Sequence, residues 1–194
     1  MAECIVIGEG QKEISESAFY FNSQLENVIL ADSVGRIRDW AFGYCSALRR
    51  IAIHKDIHQI SFTAFDGCER LERIEVDPQN PFYSDENGVL FNKDRTCLIR
   101  YPGNHPQLDY VVPETVEWIA PEAFNRCAKL RSVILPPGLL QIGAKAFAYC
   151  RRLEKISIPS GVRQIGTAAF ADCYSLNTFV VEDNPCSPVF YEAD

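Results

Sequence analysis

Apolar positions in this chain recur in a fixed frame. The dipeptide Ala-Phe closes at Phe19, Phe42, Phe65, Phe124, Phe147 and Phe170, with gaps of 23, 23, 59, 23 and 23 residues. Around each Phe, eight apolar slots keep the same offsets: Val34, Ile37, Ala41, Phe42, Cys45, Leu48, Ile51 and Ile53 in one copy, and Val162, Ile165, Ala169, Phe170, Cys173, Leu176, Phe179 and Val181 in another. Across the six copies only Gln11 and Asn22, both in the first, are polar. A chain that is 47% hydrophobic does not hold such a register by accident, so the period is structural.

The spacing of the slots predicts the elements. The middle slots step by three or four, then one, then three, a helical or 3₁₀ period. The last two, such as Ile156 and Ile158, are two apart, the period of a strand. Each copy therefore reads as a short strand, a turn carrying Pro or Gly (Pro136-Pro137-Gly138, Pro159-Ser160-Gly161) and a short helical segment. One copy fails alone: its buried side chains yield roughly 12–24 kcal/mol, while ordering its backbone costs roughly 25–45 kcal/mol. Stacked coils, which add strand pairing and complete the burial, are required. The predicted class is an α/β solenoid, with short parallel strands on one face and helical or 3₁₀ segments opposite.

Two stretches depart from the frame. The chain begins on a strand, Ile5–Ile7, and Gln11 and Asn22 suit a capping coil. Residues 77–112 form one long coil of 36 residues between regular coils at about 1–76 and 113–181, the whole of 1–194 reading as a single solenoid domain. Inside the long coil, Asp85-Glu86-Asn87-Gly88 signals a turn. Val89–Asn92 and Cys97–Tyr101, flanking Lys93-Asp94-Arg95, predict a β-hairpin. Val181-Glu182-Asp183-Asn184-Pro185 echoes Val76-Asp77-Pro78-Gln79-Asn80-Pro81, so a second such coil is expected to begin there.

The pattern Ile-Pro-x-x-Val-x-x-Ile-Gly-x-x-Ala-Phe-x-x-Cys-x-x-Leu-x-x-Ile-x-Ile, met almost letter for letter over residues 156–181, resembles the BspA-like leucine-rich repeats. Asn80-Pro81-x-Tyr83 with Asn87-Gly88-Val89-Leu90-Phe91 is similar to the family's longer variant coil. The resemblance spans essentially the whole chain. It implies a right-handed solenoid whose strands line a concave face, and a bacterial cell-surface protein that binds other proteins, with adhesion the usual role.

Composition and charge narrow the partner. A net charge of −7 without a Lys/Arg run disfavours nucleic acid and anionic membrane. Apolar runs of only a few residues give no bilayer span. The start, MAECIVIGEGQKE, lacks a basic segment followed by a long apolar core. That predicts a cytoplasmic protein if the chain is complete, and a surface or secreted one if it is part of a typical family member. The expected state is a monomer.

Candidate chemistry is thin. Cys45, Cys68, Cys127, Cys150 and Cys173 share one slot and form a ladder, without the close Cys pairs that zinc sites use. They read as buried free thiols acting as small hydrophobes, while Cys4, Cys97 and Cys186 stand outside the ladder. His54 and His58 have i, i+4 spacing but flank a strand-to-turn segment, which suits surface turn residues better than a metal pair. His105 sits in a Pro- and Gly-rich loop, and Gly8-Glu9-Gly10 reads as a turn rather than a phosphate cradle. No nucleophile, P-loop or dinucleotide motif occurs, so neither enzyme activity, a cofactor nor a metal is expected.

The strand face is the candidate site. Residues flanking the buried slots alternate outward. One outward column reads Asn27, Arg50, Arg73, Ser132, Lys155, Thr178, and the next reads Ile29, Ala52, Glu75, Ile134, Ser157, Val180. Seven or eight strands at about 4.8 Å would give a ribbon roughly 35 Å long. The expected binding residues are Arg50, Ala52, Arg73, Glu75, Ser132, Ile134, Lys155, Ser157 and Thr178, on a non-enzymatic protein-interaction module or, alternatively, a spacer in a larger surface protein. The aromatics of the long coil, Phe82, Tyr83, Phe91, Tyr101 and Tyr110, are expected to pack the hairpin down, with one or two left for a partner.

Overall fold

The computed structural model describes residues 3–182 and the backbone of 189–190. The chain winds as a solenoid built from short strands. On the long-strand face, β1 (Glu3–Val6), β3 (Leu25–Ile29), β5 (Arg50–Ile53) and β7 (Arg73–Val76) pair in order as one parallel ribbon. A second ribbon there joins β11 (Asp109–Val111), β13 (Ser132–Ile134), β15 (Lys155–Ile158) and β17 (Thr178–Val181). Two-residue strands line another face. β2 (Glu13–Ile14), β4 (Arg36–Ile37) and β6 (Gln59–Ile60) make one set. β12 (Trp118–Ile119), β14 (Gln141–Ile142), β16 (Gln164–Ile165) and β18 (Val189–Phe190) continue a sheet that begins in the long coil with β8 (Tyr83–Glu86), β9 (Val89–Asn92) and β10 (Cys97–Arg100).

The expected helical segments are absent: no helix occurs among the described residues, and the α/β assignment gives way to an all-strand solenoid. The backbone shows why. Two residues before and two after the slot Phe, φ turns positive, as at Trp40 (55°) and Tyr44 (57°), Glu122 (59°) and Arg126 (61°), and Lys145 (53°) and Tyr149 (59°). Left-handed residues interrupt any helix. The amides then alternate in direction. Ala41, Gly43 and Cys45 donate three residues back, to Arg38, Trp40 and Phe42. Phe42 and Tyr44 donate instead to Ala64 and Asp66 of the next coil, at 2.9 and 2.7 Å. Phe124, Arg126, Phe147 and Tyr149 repeat this lateral bonding. A run of tight turns steps by about three, as a helix does, which is why slot spacing alone points to the wrong element.

The core is a set of columns. The slot phenylalanines stack nearly parallel, with centroids 5.3 Å apart for Phe19–Phe42, 5.8 Å for Phe42–Phe65, 4.7 Å for Phe124–Phe147 and 5.3 Å for Phe147–Phe170. In the long coil Tyr101 takes the slot and stacks on Phe124 at 5.1 Å. Every slot of the coils centred on Phe42, Phe124 and Phe147 is buried. Burial fails at the ends, where Phe19 and Phe170 are only partly covered and Phe179 is 41% exposed. The ladder cysteines of the described residues are free thiols. Each Sγ–H points to the carbonyl of the aromatic residue one coil back: Cys45 to Phe19, Cys68 to Phe42, Cys127 to Tyr101, Cys150 to Phe124 and Cys173 to Phe147, at 3.0–3.6 Å. Burial pushes the Cys45 thiol up to about 11, so that thiol stays protonated and able to donate. Cys4 is exposed and Cys97 buried, both free, and Cys186 lies outside the described residues.

Phe147→Ala removes a fully buried ring from the middle of the column and is expected to cost about 3–5 kcal/mol. Chemical denaturation measures it, and a variant as stable as the parent would contradict the slot assignment.

Candidate functional site

Alternation on the long-strand face places the nine expected residues as the slot frame requires. Arg50, Ala52, Arg73, Glu75, Ile134, Lys155, Ser157 and Thr178 are exposed and Ser132 half-buried, while Ile51, Ile74, Val133 and Ile156 between them are buried. Arg50 registers with Asn27 and Arg73, and Lys155 with Ser132 and Thr178. The two groups do not join into one ribbon. A second, unexpected hairpin intervenes: β8 pairs antiparallel with β9 through Asn87 (φ 53°) and Gly88 (φ 85°), the left-handed pair that a two-residue hairpin turn needs. A Cβ at Gly88 would come within 2.4 Å of the Arg73 Cβ, so only glycine fits against β7. The corner of this hairpin receives the Ile74 amide on the Gly88 carbonyl (2.9 Å) and the Val76 amide on the Asp85 carboxylate (2.8 Å). The expected continuous surface is therefore two four-stranded ribbons separated by a hairpin corner.

Both ribbons expose apolar side chains, Val6 (66%) and Ile29 (56%) on the first among them, but they differ around β7 and β13. Beside β7, Arg73 pairs with Glu75 (3.2 Å) and Arg49 with Glu72 (3.4 Å), all half-exposed. Pairs of this kind contribute little to stability, and their charges stay open to water. On the second ribbon, Val111 is 62% exposed, Ile134 61% and Val180 46%. Val111 and Ile134 are paired neighbours. A recess of about 290 Å³ lies across β13, β15 and β17, lined by Ile134, Leu135, Lys155, Ser157, Thr178 and Val180. Val111 escaped the sequence reading because its strand belongs to the irregular coil, although its place beside the slots Tyr110 and Val112 marked it as outward.

The long coil is held by polar side chains that a hydrophobic frame does not announce. Buried Asn80 donates to the carbonyls of His54 and Ile57 and accepts the amides of Phe82 and Tyr83, all at 2.8 Å, so its full hydrogen-bonding capacity is used. The buried Arg100 guanidinium donates to the Glu122 and Phe65 carbonyls (2.7 and 3.1 Å) and pairs with buried Asp66 at 3.6 Å. Asn125 donates to Asp66 at 2.7 Å. Burial, with Asp66 close by, raises the Glu122 carboxyl above its ordinary value. These groups stitch the coils on either side of the long one together where the regular ladder fails. Of the aromatics, Phe91, Tyr101 and Tyr110 are buried, Tyr83 accepts the Ile60 amide on its hydroxyl (2.9 Å), and Phe82 is half exposed.

The histidines take up local bonds. His54 accepts the Asp56 amide at 3.3 Å, and the exposed His58 ring sits 3.2 Å from the Asp56 carbonyl. His105 is buried under the hairpin corner. Its Nε2–H donates to the Asn87 carbonyl (2.9 Å) and its Nδ1 accepts the Gln107 amide (3.2 Å) beside the Tyr101 hydroxyl (3.0 Å). A second proton would break the Nδ1 bond, and burial lowers the ring below its ordinary value. A base depressed in the folded state binds fewer protons there than when unfolded, so its stabilisation is present above the ordinary imidazole value and lost as pH falls through that window. The melting-temperature advantage of wild type over His105→Gln is expected to shrink between about pH 7 and about pH 5. A pH-independent advantage would contradict it.

Comparisons agree with this geometry. The chain matches the BspA type leucine rich repeat region in six copies, over residues 2–92 and 104–188. A pneumococcal vaccine antigen, PcpA, is 29% identical with a TM-score of 0.85, covering 91% of this chain and 46% of its own. A leucine-rich repeat protein from Eubacterium ventriosum is 25% identical with a TM-score of 0.73, covering 92% and 59%. A leucine rich cell surface protein from Faecalibacterium prausnitzii, 23% identical with a TM-score of 0.63 over 94% and 60%, shares the fold. The chain thus spans about half to three-fifths of the length of these proteins. No curated protein matches it. With its repeat, its columns and its long coil accounted for, the chain belongs to the BspA-type leucine-rich repeat family.

Proposed function

We propose that this chain is a non-enzymatic protein-binding module that docks its partner on the long-strand face. The observation that carries this is the exposed apolar strip of Val111, Ile134 and Val180 beside the recess on the second ribbon. Exposed apolar side chains grouped on a rigid sheet and edged by polar ones are how protein interfaces are built. The charged residues Arg50, Arg73 and Glu75 on the first ribbon supply the orienting rim, and Ala52, Ser132, Lys155, Ser157 and Thr178 complete the nine-residue surface. The likeness to a pneumococcal vaccine antigen favours a role at a bacterial surface, with adhesion as the particular form. No helix among the described residues is long and apolar enough to cross a membrane.

A spacer reading, in which the array positions a binding region elsewhere, draws on the short span of the chain relative to its structural neighbours. One experiment separates the two. Affinity capture from host and bacterial surface extracts is run with wild type and with Val111→Asp/Ile134→Asp, both at outward positions. Loss of central apolar contacts is expected to cost about 2–4 kcal/mol of binding, enough to empty the captured band while the melt is retained. Equal recovery of the same partner by both proteins would contradict docking on this face.

A further inference from the structure

Where the turn segments lead into the long strands, a recess of about 250 Å³ opens beside the long coil, away from the apolar strip. Arg126, Lys129 and Arg151 line it, with Glu69 as the single acid. The chain as a whole carries −7, so this local excess of positive charge runs against its average. None of the three cations is in an ion pair among the described residues. Gathering three cations in one recess against a single acid costs Coulomb energy that nothing in the coil-stacking frame requires.

Arg126 is also held in place. Its guanidinium carbon lies 4.5 Å from the Tyr149 ring centroid and 5.2 Å from that of Tyr44, and one terminal N–H donates 3.3 Å to the Tyr44 hydroxyl. Tyr44 and Arg126 occupy the same slot, two residues after the stacked ring, but two coils separate them. Those coils place Gly67 and Gly103 at that slot. A Cβ at Gly67 would come 2.6 Å from the Tyr44 ring, and one at Gly103 would come 3.1 Å from the Cys68 carbonyl. Two glycines therefore clear the lane along which Tyr44 and Arg126 meet. A guanidinium clamped between rings has already given up most of its side-chain freedom, so little remains to be lost when it binds. Its planar donors match the paired oxygens of phosphoryl and carboxylate groups.

We propose that this recess is an oxyanion-binding site that takes a phosphoryl or carboxylate group, with Arg126 as the preset donor and Lys129 and Arg151 supplying the field. The site is independent of the strand face and stands whether or not a protein docks there.

The test is a titration of the full chain, followed by amide NMR, with inorganic phosphate in one arm and glutarate in the other at constant ionic strength. Saturable shifts centred on Asn104, Lys129 and Arg151 are expected, the tighter arm identifying the group. In Lys129→Glu/Arg151→Glu, both at exposed positions, affinity is expected to fall by at least about tenfold, since two attractive charges become repulsive ones. Lys129→Gln/Arg151→Gln repeats the test if the reversal disturbs folding, and should weaken binding less steeply. No saturable shift with either anion up to tens of millimolar, or a folded double variant that binds as tightly as wild type, would overturn the site.

Discussion

The structure depends on one arrangement of backbone amides. In the turn segments every second N–H leaves its own coil and bonds to the next, as Phe42 does to Ala64 and Tyr44 to Asp66. A helix would have satisfied those amides internally and left the coils joined only by their side chains. Each coil instead lacks partners until a neighbour arrives. The left-handed residues that turn the amides outward, such as Trp40 and Tyr44, cost about 1–2 kcal/mol each in an isolated chain. Lateral bonds, stacked rings and thiol-to-carbonyl contacts offset that cost only in the assembled stack, which ties local conformation to the repeat itself.

How far the sequence disclosed this follows from what a hydrophobic slot encodes. It encodes which side chains are buried and at what interval, so the Phe and Cys columns, the strand register and the outward residues Arg50 to Thr178 were legible. It does not encode where an amide points. Steps of three across Ile37, Ala41, Phe42 and Cys45 suit a helix and a chain of tight turns equally, and the choice rests on φ at Trp40 and Tyr44, residues whose type does not advertise a positive value. Within the long coil, Asn87-Gly88 announced a turn. That the turn would be a hairpin corner splitting the long-strand face depended on Asn80, His105 and Arg100 replacing the backbone ladder, and polar stitches of that sort leave no period behind.

The same division shapes function. Inside, repetition is strict, because one misplaced slot would leave two coils uncovered. Outside, the coils are free to differ, and they do: an ion pair on β7, an apolar recess across β13, β15 and β17, and a basic recess on an acidic chain. The long coil sets these apart, with its hairpin corner between the ribbons and Gly103 in the floor of the recess. An irregular coil inside a regular stack gives the molecule its distinct surfaces, while Tyr101 fills the aromatic slot there and stacks on Phe124 of the coil that follows.

Native-state hydrogen exchange on the amides of Phe42, Tyr44, Phe124, Arg126, Phe147 and Tyr149 tests lateral bonding most directly. If those N–H groups hold the coils together, they exchange only through cooperative opening of the stack, as slowly as the buried strand amides of Ile51 and Ile156. Exchange as fast as at the exposed hairpin residue Asp94, while the strands remain protected, would show that the coils cohere without them.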